Sequence, residues 1–164
     1  MSNTLSSLSG VNADLHHQII ISHALIGIDG MLKFRKKKGV MVLSETDIVY
    51  LDNSNDLQRK NADIVIWKYS KDELNGIENP ILIIELTRTP FPQDLFNSKN
   101  KDIIKMNDYL DNLPSLKECY LFNYLSGTIL KYTKNKNKET CIEENIFTTK
   151  YADIQLKRYL FPKL

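Results

Sequence analysis

The stretch from Pro80 to Pro90, PILIIELTRTP, carries the strongest structural signal in the chain. Its four consecutive aliphatic residues, Ile81 to Ile84, predict the centre of a strand that is buried on both faces of a sheet. The next residue is Glu85. Because burial of an unpaired ionised carboxylate costs several kcal/mol, we expect this glutamate to contact a partner or a metal ion.

The segments on either side of this strand indicate how it is paired. Residues 62–70, ADIVIWKYS, predict a strand that reaches 81–87 through a polar turn, so these two strands should form an antiparallel hairpin or lie as close neighbours. Residues 94–113 have helical spacing and end before Pro114. The apolar run CYLFNYL at 119–125 predicts the next strand. This strand–helix–strand order predicts two parallel, central strands.

The N-terminal part predicts one helix and one strand before the hairpin. Residues 12–29 have a helical apolar stripe, and Asn12 is a suitable N-cap. Residues 40–53 predict a strand or a bent pair of strands, and residues 54–61 a polar loop. We expect residues 1–11 to form a flexible N-terminal segment.

Beyond the central strands, residues 129–135 predict one more strand after an SGT turn, and residues 146–161 fit a strand or a short helix. The predicted fold class is therefore α/β: a central mixed sheet flanked by helices, with an N-terminal helix, a strand meander, a crossover helix and further strands. A length of 164 residues suits a single domain, 1–164.

Composition excludes several classes of protein. The net charge of +2 neither indicates nor excludes a nucleic-acid binder. The longest aliphatic run has four residues, far below the roughly 20 that cross a bilayer, so no membrane partner is expected. Two isolated cysteines and the lack of a signal peptide predict a cytoplasmic protein with reduced thiols. The glycines form no nucleotide-binding motif, so no nucleotide cofactor is expected.

Two acidic residues mark the ends of the hairpin strands. Asp63 begins one strand, and Glu85 ends the other, 85 − 63 = 22 residues later. If the strands pair antiparallel, the two carboxylates meet at one edge of the sheet, where they suit Mg²⁺, or Mn²⁺ in its place. The alternative is that both are solvated acids at strand ends.

A series of motifs occurs in order over residues 16 to about 133. They are HHQIIISHAL, SETDIVYLDN, NADIVIW, IELTRTP, Asp94, KMNDY and LPSLKECYLF. This series resembles the PD-(D/E)XK nuclease superfamily, and within it the Uma-type restriction endonuclease branch. The resemblance implies a restriction endonuclease-like fold and a Mg²⁺-dependent endonuclease acting on DNA. It also implies the Leu86 carbonyl as a third metal ligand, beside Asp63 and Glu85. A homodimer is expected, since two strands need two cuts and one domain has one site.

The sequence departs from the superfamily pattern at the position of its usual lysine. Thr87 occupies that position, and Arg88 follows it. A cation near the scissile phosphate stabilises developing charge, so it must come from elsewhere. The predicted helix offers Lys101 and Lys105, spaced to share one face. Lys105 with Tyr109 matches the Lys-x-x-x-Tyr of the branch, so Lys105 is the candidate for the catalytic cation.

The other polar candidates are secondary. Asp47 could add a metal ligand, although a solvent-facing acid is the commoner role. Gln18 on the first helix could contact metal-bound water, as the resemblance suggests. Two alternatives stay open at this point. The fold could be retained with a degraded site that binds nucleic acid or a protein partner without cleavage, or the domain could be purely structural.

Overall fold

The computed structural model of this protein describes residues 4–36, 38–68, 80–89, 99–133 and 140–142. These residues form two helices and one sheet of six strands. In chain order the elements are α1 (Thr4–Phe34), β1 (Val40–Leu51), β2 (Leu57–Lys68), β3 (Pro80–Thr87), α2 (Lys101–Asn112), β4 (Glu118–Asn123), β5 (Thr128–Thr133) and β6 (Thr140–Ile142).

The strands lie in the sheet in the order in which they occur in the chain, from β1 to β6. All neighbouring strands are antiparallel except β3 and β4, which are parallel and are joined through α2. The prediction of two parallel central strands is therefore confirmed. Every residue of β3 and of β4 is buried, as continuous apolar runs predict for strands covered on both faces.

The two helices cover opposite faces of the sheet and form two separate cores. The α1 core contains Ile20, Ala24 and Ile28 of the helix together with Ile84 of β3. On the other face, α2 packs on β3 at Ile83. Consecutive residues of β3 thus belong to different cores, as side-chain alternation in a strand requires. The predicted fold class, a mixed sheet flanked by helices, is confirmed.

The hairpin of β1 and β2 is longer than the sequence analysis predicts. Residues 57–61 were expected in a polar loop, but they extend β2 and pair with residues 47–51 of β1. The expectation fails because an unbroken run of polar residues hides the strand: their exposure alternates along β2, but their polarity does not. The turn before them is closed within a few residues by Asp52. Its carboxylate accepts hydrogen bonds from the backbone N–H groups of Ser54 (2.8 Å) and Asp56 (3.0 Å). Such side-chain-to-backbone bonds stabilise tight turns.

Helix α1 is also longer than predicted. It begins at Thr4, so Asn12 lies within the helix and is not its N-cap. Apolar residues at 5, 8 and 11 extend the helical spacing upstream, which the sequence analysis did not use. The helix ends at Phe34, and Lys36 just beyond it has a positive φ of 51°.

The remaining expectations are partly outside the described residues. Strand β5 begins after the predicted turn, and the short β6 pairs with it although no strand was predicted there. Asp94 and residues 146–161 lie outside the described residues. Among the helices of the described part, none is long and apolar enough to cross a membrane.

Candidate active site

The candidate site lies where β2 and β3 separate. Their pairing includes Ile66↔Leu82 and Ile64↔Ile84, and no further pair follows in this direction. Continuing the same register places Asp63 opposite Glu85. The two acids therefore face each other at the point where the strands fork.

Asp63 is held by contacts on two sides of this fork. Its Oδ2 accepts a hydrogen bond from the backbone N–H of Leu86 at 2.7 Å, so the side chain replaces a backbone partner where the ladder ends. Its Oδ1 lies 3.4 Å from Nε2 of His17 on α1. A carboxylate with both oxygens in contact has little rotational freedom, and its orientation at the fork is set by the fold.

Glu85 is a buried carboxylate that is only partly satisfied. The residue is 5% exposed, and among the described residues its Oε1 has no hydrogen-bond partner. Burial, and then the nearby Asp63 carboxylate, raises the pKa of Glu85 to about 8, against the opposing effects of Lys105 and of the neighbouring Tyr109 hydroxyl. A buried acid with a raised pKa and an unoccupied oxygen costs stability, which is typical of functional sites.

Lys105 supplies the positive charge at the fork. It lies on α2, whose first turn is capped by the side chain of Asn100. The Lys105 ammonium donates hydrogen bonds to Glu85 Oε2 at 2.8 Å and to the carbonyl of Asn61 at 2.6 Å. Its Nζ also lies 5.8 Å from the ring centroid of Tyr109, one turn further along the helix. The Tyr109 hydroxyl approaches the same Asn61 carbonyl at 3.5 Å, a long contact.

The Leu86 carbonyl points towards the same fork. In a ladder, the N–H and C=O of one residue point to the same neighbouring strand. Because the Leu86 N–H is directed at Asp63 of β2, its carbonyl is directed to that side as well. The fork therefore gathers two carboxylates and one backbone carbonyl, all of them hard oxygen donors.

This donor set fits a divalent cation. Mg²⁺ commonly takes one or two carboxylates and completes its shell with water, so two carboxylates with one carbonyl suffice. Oε1 of Glu85 is a buried oxygen that has no hydrogen-bond partner in the ranges that the structure describes. Among the described residues, no group of three His, Cys, Asp or Glu side chains stands ready for a metal ion. A zinc-type cage is therefore not formed there.

Comparison with known proteins shows the fold and does not identify a family. Neither the protein-family models nor the curated proteins include a match to this chain. Among solved structures, the chain is similar to "a putative nuclease belonging to DUF820" from Anabaena variabilis ATCC 29413. The TM-score is 0.63 at 16% sequence identity, over 89% of this chain and 82% of the other. This chain has a nuclease-like fold.

The nuclease-like fold brings most of the predicted site residues together. Asp63, Glu85, Leu86, Lys105 and Tyr109 surround the fork. Their catalytic and metal-binding roles stay predictions.

The other candidate cations and the residue in the lysine position are not in this group of contacts. Thr87 is buried in β3, and its hydroxyl accepts a hydrogen bond from the N–H of Thr89 at 3.0 Å. Arg88 is exposed beyond the end of the strand, and Lys101 is exposed one turn before Lys105.

Two secondary candidates have other partners. Asp47 pairs with Arg59 and accepts a hydrogen bond from Asn61, and the Arg59 contact lowers its pKa. Gln18 donates a hydrogen bond to Glu45 Oε1 at 2.6 Å, so the contact observed for it is with that acid.

Sequence reasoning missed two residues beside the fork. His17 was not among the predicted site residues, but it is partly buried on α1 and contacts Asp63. Glu45 was not considered, although it stands opposite Asp63 in the register of β1 and β2. The helical spacing gave no signal for His17. Glu45 could have been found by aligning the two hairpin strands, had the true length of β2 been known.

Proposed function

We propose that this protein is a metal-dependent endonuclease that hydrolyses DNA phosphodiester bonds, related to the PD-(D/E)XK superfamily and its Uma-type branch. The observation that carries the proposal is the buried Glu85 carboxylate, which lies opposite Asp63 at the fork, contacts Lys105 at 2.8 Å, and has one oxygen without a hydrogen-bond partner in the described part of the chain. Buried acids are normally paired and fully hydrogen-bonded, and a buried acid with a raised pKa beside a second carboxylate is typical of functional sites.

Asp63, Glu85 and the Leu86 carbonyl would hold Mg²⁺ or Mn²⁺. When bound, such an ion lowers the pKa of a coordinated water and neutralises charge on the phosphate. The protein contributes a fixed geometry, because the Leu86 N–H orients the Asp63 carboxylate before any ligand arrives. Pre-organised groups need little rearrangement during the reaction.

Lys105 takes the role that the superfamily gives to the lysine replaced here by Thr87. Its ammonium lies beside the carboxylates and is about a quarter exposed, so it can contact both the site and an incoming phosphate. A cation at this place stabilises the negative charge that develops on the phosphate oxygens. Tyr109 packs beside the ammonium and limits the positions that the lysine side chain can adopt.

The substrate and the assembly follow from the proposed chemistry. DNA is the expected partner, and a homodimer would place two sites on the two strands of a duplex. The site contains no nucleotide-binding motif, so hydrolysis would need no nucleotide cofactor. The proposed location is the cytoplasm.

The direct test is cleavage of supercoiled plasmid DNA in Mg²⁺, in Mn²⁺ and in a chelator. We expect metal-dependent nicking by the wild type and its loss in Asp63→Asn. The matched control is Asp47→Asn, which removes an acid of the same hairpin that pairs with Arg59 instead. Nicking that persists in Asp63→Asn would overturn the proposal.

The second candidate is a nuclease fold that binds nucleic acid or a protein partner without cutting. Thr87 in the lysine position is the observation that favours it. Under this alternative, the wild type would retain DNA in a salt-sensitive manner and show no cleavage of plasmid, linear or single-stranded DNA.

A further inference from the structure

The β1–β2 hairpin reverses its faces along its length. On β1, Val42 packs against the α1 core, whereas Ile48 belongs to the α2 core. On β2, Ile64 belongs to the α1 core and Ala62 to the α2 core. Residues separated by an even number normally share one face of a sheet, so both strands must reverse between these positions. On β2 the only residue between them is Asp63.

The reversal coincides with an unusual backbone conformation at Glu45. Its φ is 47°, in the left-handed region that residues other than glycine rarely adopt. The register pairs Ser44↔Ile64 and Thr46↔Ala62, so Glu45 stands directly opposite Asp63. The pairing register is the same before and after Glu45, because each step along β1 is matched by one step back along β2. Neither strand therefore carries an inserted residue. The change of face therefore comes from the conformation at this level of the hairpin.

The reversal of the hairpin determines the direction in which the Asp63 side chain points. A residue in regular alternation would direct its side chain into the α1 layer or into the α2 layer. At the crossover, Asp63 instead reaches across to the Leu86 N–H of β3 while also contacting His17 of α1. The next helix residue, Gln18, holds the Glu45 carboxylate at 2.6 Å. Consecutive residues of α1 thus contact the two opposed acids.

We infer that Glu45 is a positioning residue for Asp63: its left-handed conformation reverses the hairpin and so places the Asp63 carboxylate in the fork. The consequence for catalysis rests on the proposed function, because a displaced Asp63 would weaken metal binding. The placement itself is independent of it. The backbone conformation carries the effect, and the Glu45 side chain adds the contact with α1.

The test compares Glu45→Gly with Glu45→Ala. Both variants lose the contact with Gln18, but only glycine adopts a positive φ without steric cost. The readout is amide hydrogen exchange at Leu86, whose N–H is bonded to Asp63, divided by exchange at Ile84. Ile84 lies two residues earlier in the same strand and pairs with Ile64. General destabilisation accelerates both amides, whereas displacement of Asp63 accelerates Leu86 alone.

We expect the Leu86-to-Ile84 exchange ratio of Glu45→Gly to stay within about twofold of the wild type. In Glu45→Ala the exchange ratio should rise about fivefold or more. The Mn²⁺ concentration that gives half of the maximal stabilisation should increase in parallel. Glu45→Thr should give a larger rise, because a β-branched residue tolerates this conformation least.

Two results would overturn the inference: an unchanged ratio in Glu45→Ala, or an equal rise in Glu45→Gly, which would assign the effect to the side chain. If Mn²⁺ stabilises neither the wild type nor any variant, the proposed function fails. The exchange ratio still decides the role of Glu45 in that case.

Discussion

Two ion pairs join α2 to the sheet, and they have opposite polarity. In one, the acid Glu85 belongs to the sheet and Lys105 to the helix. In the other, less than one turn further along the helix, Lys60 belongs to the sheet and Asp108 to the helix. Both pairs lie at the same helix–sheet interface. A comparison of the two therefore shows which features of the Glu85–Lys105 pair go beyond those of an ordinary ion pair.

The Lys60–Asp108 pair is fully satisfied. Asp108 Oδ2 accepts hydrogen bonds from Lys60 and from the Tyr50 hydroxyl, and its Oδ1 accepts one from Asn112 at 2.8 Å. The Glu85–Lys105 pair instead leaves Glu85 Oε1 without a partner among the described residues and places a second carboxylate opposite. The first arrangement stabilises the fold, whereas the second keeps a partly satisfied acid beside another, as the proposed metal site would require. Four predictions test this contrast.

The largest expected difference is in catalysis. Glu85→Gln should lower the initial rate of Mn²⁺-dependent plasmid nicking about 1,000-fold, because the buried ligand charge is lost while the shape is kept. Asp108→Asn should change the rate only a few-fold. Equal losses in the two variants would mean that both pairs serve the site alike and would remove the contrast.

The two lysines should differ in the same direction. Lys105→Met should lower kcat about 100-fold, since it removes the charge that stabilises the phosphate and keeps the length of the side chain. Lys60→Met should leave kcat within a few-fold of the wild type. Should Lys105→Met retain full activity, the cation would have to come from Arg88 or Lys101, the other candidates nearby, and single variants at those positions would identify it.

Removal of the two acids should change the free energy of unfolding in opposite directions. Asp108→Ala should lower the free energy of unfolding by about 2 kcal/mol, because it leaves the partly buried Lys60 and the Tyr50 hydroxyl without their partner. In metal-free protein at pH 8, Glu85→Gln should raise it, because a neutral amide replaces a buried acid opposite Asp63. Urea denaturation in a chelator measures both values. A destabilised Glu85→Gln variant would show that the Lys105 contact outweighs the cost of burial.

Glu85 should also make stability depend on pH. The pKa of Glu85 is about 8 in the folded protein and near 4.5 in the unfolded chain. Between these values the folded state binds a proton that the unfolded state has released, so this residue makes stability fall as pH rises. The slope in metal-free protein should be at most about 1.4 kcal/mol per pH unit, and it should flatten in Glu85→Gln. Asp108→Asn serves as the control and should keep the wild-type slope.

Much of the central fold follows from local sequence signals. The run Ile81–Ile84 predicts a buried strand, and the helix between it and residues 119–125 predicts the parallel pair. The antiparallel hairpin then predicts that Asp63 and Glu85 meet, because pairing relates their positions without any knowledge of side-chain contacts.

What the sequence could not predict depends on tertiary contacts and on one backbone angle. Residues 58–61 are polar, and they form a strand through their pairing with β1 and the contacts of Lys60 and Asn61 with α2. His17 contacts Asp63 because of the position of α1 on the sheet, which helical periodicity does not specify. Residue propensities do not predict the positive φ of Glu45, since glutamate rarely adopts a left-handed conformation.

The hydrogen bond between the Asp63 carboxylate and the Leu86 N–H has an evolutionary consequence. A relative of this fold without catalytic activity would still need a hydrogen-bond acceptor at position 63. Without one, the backbone N–H of Leu86 would have no partner, and Asn could supply the acceptor as well as Asp does. Position 85 is under no such constraint, since an amide there could accept the hydrogen bond from Lys105 without the cost of a buried acid. Drift after loss of activity should therefore erase Glu85 first.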